Sequence, residues 1–410
     1  MNILYLNSRL PEFAEHVTDA RNYALLKHVS QHHNITVVVV SENNKQPSLD
    51  HLQKFCDSYY QIQQKRIAPL QKLKDFFNNS SNHSLGLDFK ALRKTLERLL
   101  TSNAFDLIHY GHAALVHALP KQNNIPVLLQ LDSISPEIFI QQLLSDSITA
   151  DLDHQKIHSA RSLLHAAWEN VDHIIVPTEK MKRHIQSYTA KTDITIVPPG
   201  VDTNYYVNNG SVNAMKTIVL SGAFNQKEDR DAIRNFIRQM WGRLQRRDRE
   251  LRLFIVGNGA SEEMRELNRL KNIYVATEVK DTRQIVREAT AVIFPHQQCE
   301  FVNSHVLEAM AQSKAVIATQ NAVAGLHVVD GQNIAIATTA DAFAEKIITI
   351  SNDEFQRRII SLQARAAVEA FHSWEVVARP LLQVYRKLIS GIDPGLEQKP
   401  TRDEANNAIV

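Results

Sequence analysis

The chain has 410 residues, of which 44% are hydrophobic and 22% charged, and its formal net charge is +2. That length exceeds what one ordinary core serves, so two domains are expected, with the composition of a soluble globular protein. The near-neutral charge gives no electrostatic case for a nucleic-acid partner. Two cysteines, Cys56 and Cys299, lack metal-ligand spacing and read as free thiols in a reducing compartment. The opening MNILYLNSRL reads as a strand and not a signal peptide, because Arg9 and Pro11 end the apolar run. No run of about 18 apolar residues occurs, so no membrane span is expected.

Short apolar strands alternate with helical patterns. Asn2–Leu6 and Ile35–Val40 are predicted strands, and Val17–Gln31 between them has helical spacing, with Tyr23, Leu26 and Val29 on one stripe. Leu107–Tyr110, Val127–Leu131, His173–Val176 and Thr195–Val197 continue the series. Continuous apolar strands belong to parallel sheets covered on both faces, and β/α alternation gives a doubly wound α/β domain. Pro198-Pro199-Gly200 and the turn-rich NNGSVN at 208–213 break the series. A second one follows: strands Thr217–Leu220, Leu251–Val256, Ile273–Val275, Ala291–Phe294 and Ala315–Ala318, with helical segments Asp231–Arg246, Arg283–Ala289 and Ser304–Ala311. The expected organisation is a first domain over 1–205, a second over 206–372, and a helix over 373–390 returning to the first. The polar tail 391–410 is predicted to be disordered. Ligands of such folds bind in the crevice at the carboxyl ends of the strands.

The segment EFVNSHVLEAMA, 300–311, is the most informative. Glu300 follows a strand and Glu308 lies about one turn into the next helix. Between them a helix N-terminus at Asn303 and Ser304 offers backbone N–H groups that suit a phosphate. A nucleotide-sugar fits this pattern: one carboxylate for sugar hydroxyls, one for ribose hydroxyls, N–H groups for the diphosphate.

The pattern strand–Pro295–Glu300–x7–Glu308-Ala-Met-Ala resembles the signature of family 4 retaining glycosyltransferases of the GT-B fold, in which two Rossmann-like domains face a central cleft. The resemblance covers nearly the whole second domain, including FIVGNGA (254–260), LEAMAQSKAVIAT (307–319) and VVDGQN (328–333). It extends to DHIIVPTEKMK (172–182), IVPPGVD (196–202) and FHSW (371–374), and LQLDSIS (129–135) is similar to the bacterial exopolysaccharide branch. It implies that Glu300 bonds the transferred sugar, Glu308 binds ribose, and Asn303 and Ser304 hold the diphosphate. It implies no tightly bound metal, since protein cations and the helix terminus neutralise the leaving group. The chain departs from the family at GAFNQKEDR, 222–230: Ala223 stands where an arginine is usual, and Lys227 comes one position early. Lys227, then Arg230, are the expected diphosphate cations beside Gly222. Gly257 and Gly259 after a strand either allow close approach of the nucleotide or serve the turn. The base is expected near Glu278–Asp281.

First-domain signals are softer. The loop 8–18 lacks the glycines usual in the family; His16 and Arg21 read as acceptor or phosphate contacts, or as an exposed helix start. His109 and His112 fall at the end of a strand over Asp106–His112, and His112, after Gly111, is the better sugar or acceptor contact; a structural histidine is the alternative. Asp132 accepts from the acceptor hydroxyl or caps a helix. Residues 65–98 hold eight basic against three acidic residues, interleaved with Leu70, Leu73, Phe76 and Phe77. Such a stretch either lies on anionic lipid or is a solvated helix face.

These readings converge on a cytoplasmic retaining glycosyltransferase, possible at the inner membrane face, acting on a glycan or lipid-linked acceptor in polysaccharide or cell-surface glycan synthesis. The rivals are a non-catalytic subunit of the same fold and a sugar-nucleotide epimerase.

Overall fold

The computed structural model describes residues 1–7, 17–41, 54–63, 89–120, 124–135, 154–189, 192–208, 216–224, 227–259, 262–279, 281–297 and 303–390. The chain divides into two compact units, Met1–Val197 with Ala378–Val410, and Pro198–Val377.

The first unit is a seven-stranded sheet of β1 (Asn2–Asn7), β2 (Asn34–Ser41), β3 (Ser58–Gln63), β4 (Leu107–Tyr110), β5 (Val127–Gln130), β6 (His173–Val176) and β7 (Asp193–Ile196), in the order β3-β2-β1-β4-β5-β6-β7. Every pairing is parallel. Its helices include α1 (Val17–Val29), α2 (Phe89–Ser102), α3 (His154–Glu169) and α4 (Glu179–Gln186). The second unit is a six-stranded sheet of β8 (Thr217–Ala223), β9 (Arg252–Asn258), β10 (Ile273–Ala276), β11 (Ala291–Phe294), β12 (Ala315–Ala318) and β13 (Ala335–Ile336), ordered β10-β9-β8-β11-β12-β13 and again parallel throughout. Its helices include α5 (Lys227–Phe236), α6 (Arg283–Glu288), α7 (Ser304–Ala311), α8 (Ala340–Asn352) and α9 (Glu354–Phe371). A last helix, α10 (Trp374–Ser390), begins in the second unit and ends in the first.

The apolar runs have a direct cause. Successive strand side chains point to opposite faces, and both faces of the second sheet are covered. In β11, Ala291 and Ile293 join one core cluster while Val292 and Phe294 join another. β12 divides the same way, Ala315 and Ile317 against Val316 and Ala318. No position on such a strand is left for a polar residue, which is why the sequence does not alternate.

Two points of the sequence reading need correction. β3, SYYQIQ, is an edge strand whose polar residues hide it from an apolar-run criterion. The strand expected over Asp106–His112 ends at Tyr110, and His112 precedes a 3₁₀ turn, Ala113–Ala118. Of the basic stretch 65–98, only Phe89–Arg98 falls among the described residues. There Leu92, Leu96 and Leu99 of α2 are buried in the first core, and Arg93 Nη2 donates to the His117 carbonyl at 3.1 Å. In that part the apolar side packs the core while Lys94 and Arg98 are exposed, as the solvated-face reading expects. The tail 391–410 lies outside the described residues.

Candidate functional site

Strand order reverses between β8 and β11, so the segments leaving these two strands flank the switch point where ligands of doubly wound sheets bind. β8 leads into α5, and β11 leads towards α7. A hydrogen bond ties them: His296 Nε2 lies 2.7 Å from Asp229 Oδ1. The other oxygen of Asp229 accepts from the Ala223 N–H at the end of β8. Burial, the largest single influence, would raise the Asp229 pKa, but the bond and charge of His296, the charge of His305 and the Ala223 N–H together hold the carboxyl below its ordinary range.

α7 starts at Ser304 behind an Asn303 N-cap, whose side chain accepts from the His305 N–H at 3.1 Å. The Val306 N–H goes to the Asn303 carbonyl at 3.2 Å. Among the described residues the Ser304 N–H has no acceptor, and it is a first-turn donor suited to an anion. Its hydroxyl is buried, with no hydrogen-bond partner among the described residues. One turn on, Glu308 Oε2 is 2.9 Å from His305 Nδ1, and the Tyr206 hydroxyl donates to the same carboxylate. Burial disfavours charge on His305, yet Glu308, and then Asp229, prevail and lift its pKa from 6.5 to about 9. The imidazole is therefore a cation at neutral pH, beside a helix terminus that also attracts anions.

The residues around this pair are fixed in turn. Arg365 donates to the carbonyls of Tyr206 at 2.7 Å and Thr203 at 2.9 Å. Arg283 stacks 3.6 Å above the Tyr205 ring and makes a two-pronged contact with Asp281, at 2.8 and 2.6 Å. A histidine NMR titration checks the electrostatics: His305 is expected to titrate at about 9, and Glu308→Gln to bring it to 6.5 or below. Because the folded pKa is raised, the stabilisation from this pair is complete below pH 6.5 and is lost as pH rises through about 9. A wild-type value at or below 6.5 rejects the imidazolium.

The expected site residues fall unevenly. Glu300 lies outside the described residues, as does His16. Asn303, Ser304 and Glu308 cluster on α7 as above. Lys227 is the exposed first residue of α5 and has no ion pair among the described residues. Arg230, expected as the second diphosphate cation, spends Nη1 on the Phe224 carbonyl at 2.6 Å, shaping the loop after β8. Gly222 and Gly257 face each other in the β8–β9 register. A Cβ on Gly257 would sit 1.9 Å from the Gly222 carbonyl oxygen, so strand packing already demands glycine there. The turn reading fits Gly259, whose φ is 95°.

In the first unit, Arg21 is not an exposed helix start. It is buried, its Nε lies 3.1 Å from Asp132 Oδ1, and its Nη2 donates to the Val197 carbonyl at 2.7 Å. Asp132 is thus engaged by a buried guanidinium rather than capping a described helix. Burial lifts its carboxyl above the ordinary range despite Arg21 and Gln130. His109 is structural: Nδ1 is 2.7 Å from the Tyr385 hydroxyl, and burial pushes its pKa down to about 3. His112 is buried just beyond β4. Sequence reasoning missed Tyr206, Asp229, His296 and His305. Only His305 left a signal, its three-residue spacing from Glu308 on one helix face. Among the described residues no group of three His, Cys, Asp or Glu could hold a metal, and no helix is long and apolar enough to cross a membrane. Cys56 is a poor nucleophile, its thiol pushed up to about 12 by burial and then Asp57.

Residues 215–353 match the family model for glycosyl transferases group 1, and residues 21–205 match that for Glycosyltransferase Family 4. Among solved structures, a sucrose-phosphate synthase from Thermosynechococcus elongatus superposes with a TM-score of 0.70 at 18% identity, covering 96% of this chain and 100% of that one. A glycosyltransferase from Rickettsia africae gives 0.64 at 13%, covering 95% and 99%. Anabaena HepE in complex with UDP-glucose gives 0.63 at 14%, covering 96% and 100%. No curated protein sequence matches the chain.

Proposed function

We propose, since this chain belongs to the glycosyltransferases of group 1 and family 4, that it moves a sugar from a nucleotide-sugar to a glycan or lipid-linked acceptor with retention of configuration. The observation that carries the donor side is the α7 terminus at the β8–β11 switch point, with its His305–Glu308 pair. In this reading the free Glu308 lone pairs accept from ribose hydroxyls, the Ser304 N–H and hydroxyl meet the diphosphate beside the Asn303 cap, and Lys227 supplies a mobile cation. His305 adds a second positive charge where Ala223 stands for the usual arginine. Arg230, bonded through Nη1 to the Phe224 carbonyl, shapes the loop and stays the second diphosphate cation, and Gly222 and Gly257 hold the strands that carry it. Glu300 faces the transferred sugar. His112 lies on the acceptor side, and Asp132, held by Arg21, accepts from the acceptor hydroxyl.

The diphosphate leaves first, through an oxocarbenium-like state, and its own oxygen helps deprotonate the incoming hydroxyl on the same face. No side-chain nucleophile and no tightly bound metal are needed, because the cations and the helix terminus carry the leaving-group charge. That the related HepE structure holds UDP-glucose supports a nucleoside-diphosphate donor. A role in polysaccharide or cell-surface glycan synthesis, in the cytoplasm or at its membrane face, belongs to the same reading. Membrane contact would rest on the basic stretch 65–98, of which the described helix buries Leu92 and Leu96 and exposes Lys94 and Arg98.

The test is a thermal melt with UDP, GDP or ADP in a chelator. One of them raises the melting temperature without divalent ion, by the equivalent of about 2.7 kcal/mol at a hundredfold excess over Kd. An absolute need for metal contradicts the site. Nucleotide bound but never released from any donor, with or without glycan acceptors, points to a binding subunit; release as a changed sugar-nucleotide points to an epimerase.

A further inference from the structure

Helix α9 buries one side only. Ile360, Ala364, Ala367 and Val368 enter the cores of the second unit. On the outer side Phe355 is 77% exposed, Ile359 38% and Leu362 60%, and Ala366 and Ala370 are exposed as well. Spacings of four, three, four and four put all five on one stripe. Scattered apolar surface residues are ordinary, but a continuous apolar stripe along a helix marks an interaction surface.

We propose that this stripe docks a second copy of the chain, α9 against α9, antiparallel across a two-fold axis beside Leu362. The stripe is complementary to itself in that arrangement. Its bulky residues lie toward the N-terminus of α9 and its alanines toward the C-terminus. Reversing one helix sets Phe355 level with the partner's Ala370 and Ile359 level with the partner's Ala366, large against small, with the two copies of Leu362 meeting at the axis. Such isologous pairing closes on itself and leaves no further sticky surface.

The flanking charges agree. Arg358 is exposed beside the stripe, with no partner among the described residues. Glu369, on the same flank, accepts from Arg365 Nε through Oε1 at 2.6 Å, and its Oε2 has no partner among the described residues. In an antiparallel pair like flanks meet, so Arg358 comes nearly level with the partner's Glu369, twice by symmetry. A lipid surface fits less well, since helices that lie on membranes carry an excess of Lys and Arg along the polar face. Here Arg357 donates to the Ile350 carbonyl and Arg365 to those of Tyr206 and Thr203, leaving Arg358 against Glu354 and Glu369. One pair of five-turn helices falls below the roughly 1,200 Å² of a standard interface, so the association is expected to depend on concentration.

Sedimentation equilibrium of the full chain tests this. The wild type rises from 46.5 kDa towards twice that mass as concentration increases. Leu362→Glu stays at the single-chain mass with an unchanged melting temperature. Arg358→Glu weakens the dimer, and Arg358→Glu with Glu369→Arg restores it. A wild type that remains monomeric up to its solubility limit overturns the proposal, as does a dimer that Leu362→Glu leaves intact. Failure of the double reversal rejects the antiparallel register. Wild-type monomer that sediments with phosphatidylglycerol vesicles, and ceases to with Leu362→Glu, assigns the stripe to lipid instead.

Discussion

Glu300→Gln lowers turnover by about 100-fold or more and leaves both nucleotide affinity and melting temperature unchanged. The expectation rests on spacing. β11 ends at Phe294 and α7 starts at Ser304, so Glu300 belongs to the short segment between them, beside the helix terminus proposed to hold the diphosphate. A carboxylate there stabilises the positive charge that grows on the sugar ring as the bond to the diphosphate breaks. Glutamine keeps the shape and the hydroxyl contacts but removes the charge, so the loss appears in the transition state and not in ground-state binding. Single-turnover nucleotide release, read beside the Kd for the free diphosphate, separates the two. Full turnover in the variant removes Glu300 from the chemistry, and a matching loss of nucleotide affinity moves it to the binding site.

The second large effect is on the fold. Gly257→Ala puts a methyl group 1.9 Å from the Gly222 carbonyl oxygen, inside a sheet paired on both sides. Neither strand has a flexible side chain that can yield, so the backbone must part. We expect a loss of about 3 kcal/mol or more, which for a unit of this size lowers the melting temperature by roughly 6–12 °C. Gly242→Ala is the internal comparison. That helical glycine has nothing within 4 Å of an added Cβ, and the change should gain about 0.5–1 kcal/mol by restricting the unfolded chain. Calorimetry of the two variants against the wild type decides the matter. If they melt together, the close approach of β8 and β9 does not constrain the fold.

The two sheets were legible because burial on both faces leaves a plain record, runs such as AVIF and AVIA with no polar interruption. β3 was not legible, because an edge strand tolerates Gln and Ser. The α7 terminus could be read from local order alone: a capping Asn303 and a Glu308 one turn later. Its partners could not. Asp229 and His296 are 67 residues apart and meet only because β8 and β11 are neighbours in the sheet. Tyr206 reaches Glu308 from a loop about a hundred residues earlier in the sequence. The exposed-start reading of Arg21 failed for the same reason in reverse: tertiary pairing with Asp132, 111 residues away, buries the guanidinium.

The path of α10 sets the order in which the molecule can be completed. Tyr385 holds its hydroxyl 2.7 Å from Nδ1 of the buried His109 ring, and Lys387 bonds Asp193 at the start of β7 at 2.9 Å. Both belong to the first unit, yet both are translated after the whole of Pro198–Val377. The amino-terminal sheet is thus synthesised first and finished last. While the ribosome is making the second unit, the first still presents an imidazole and a sheet edge without their eventual partners.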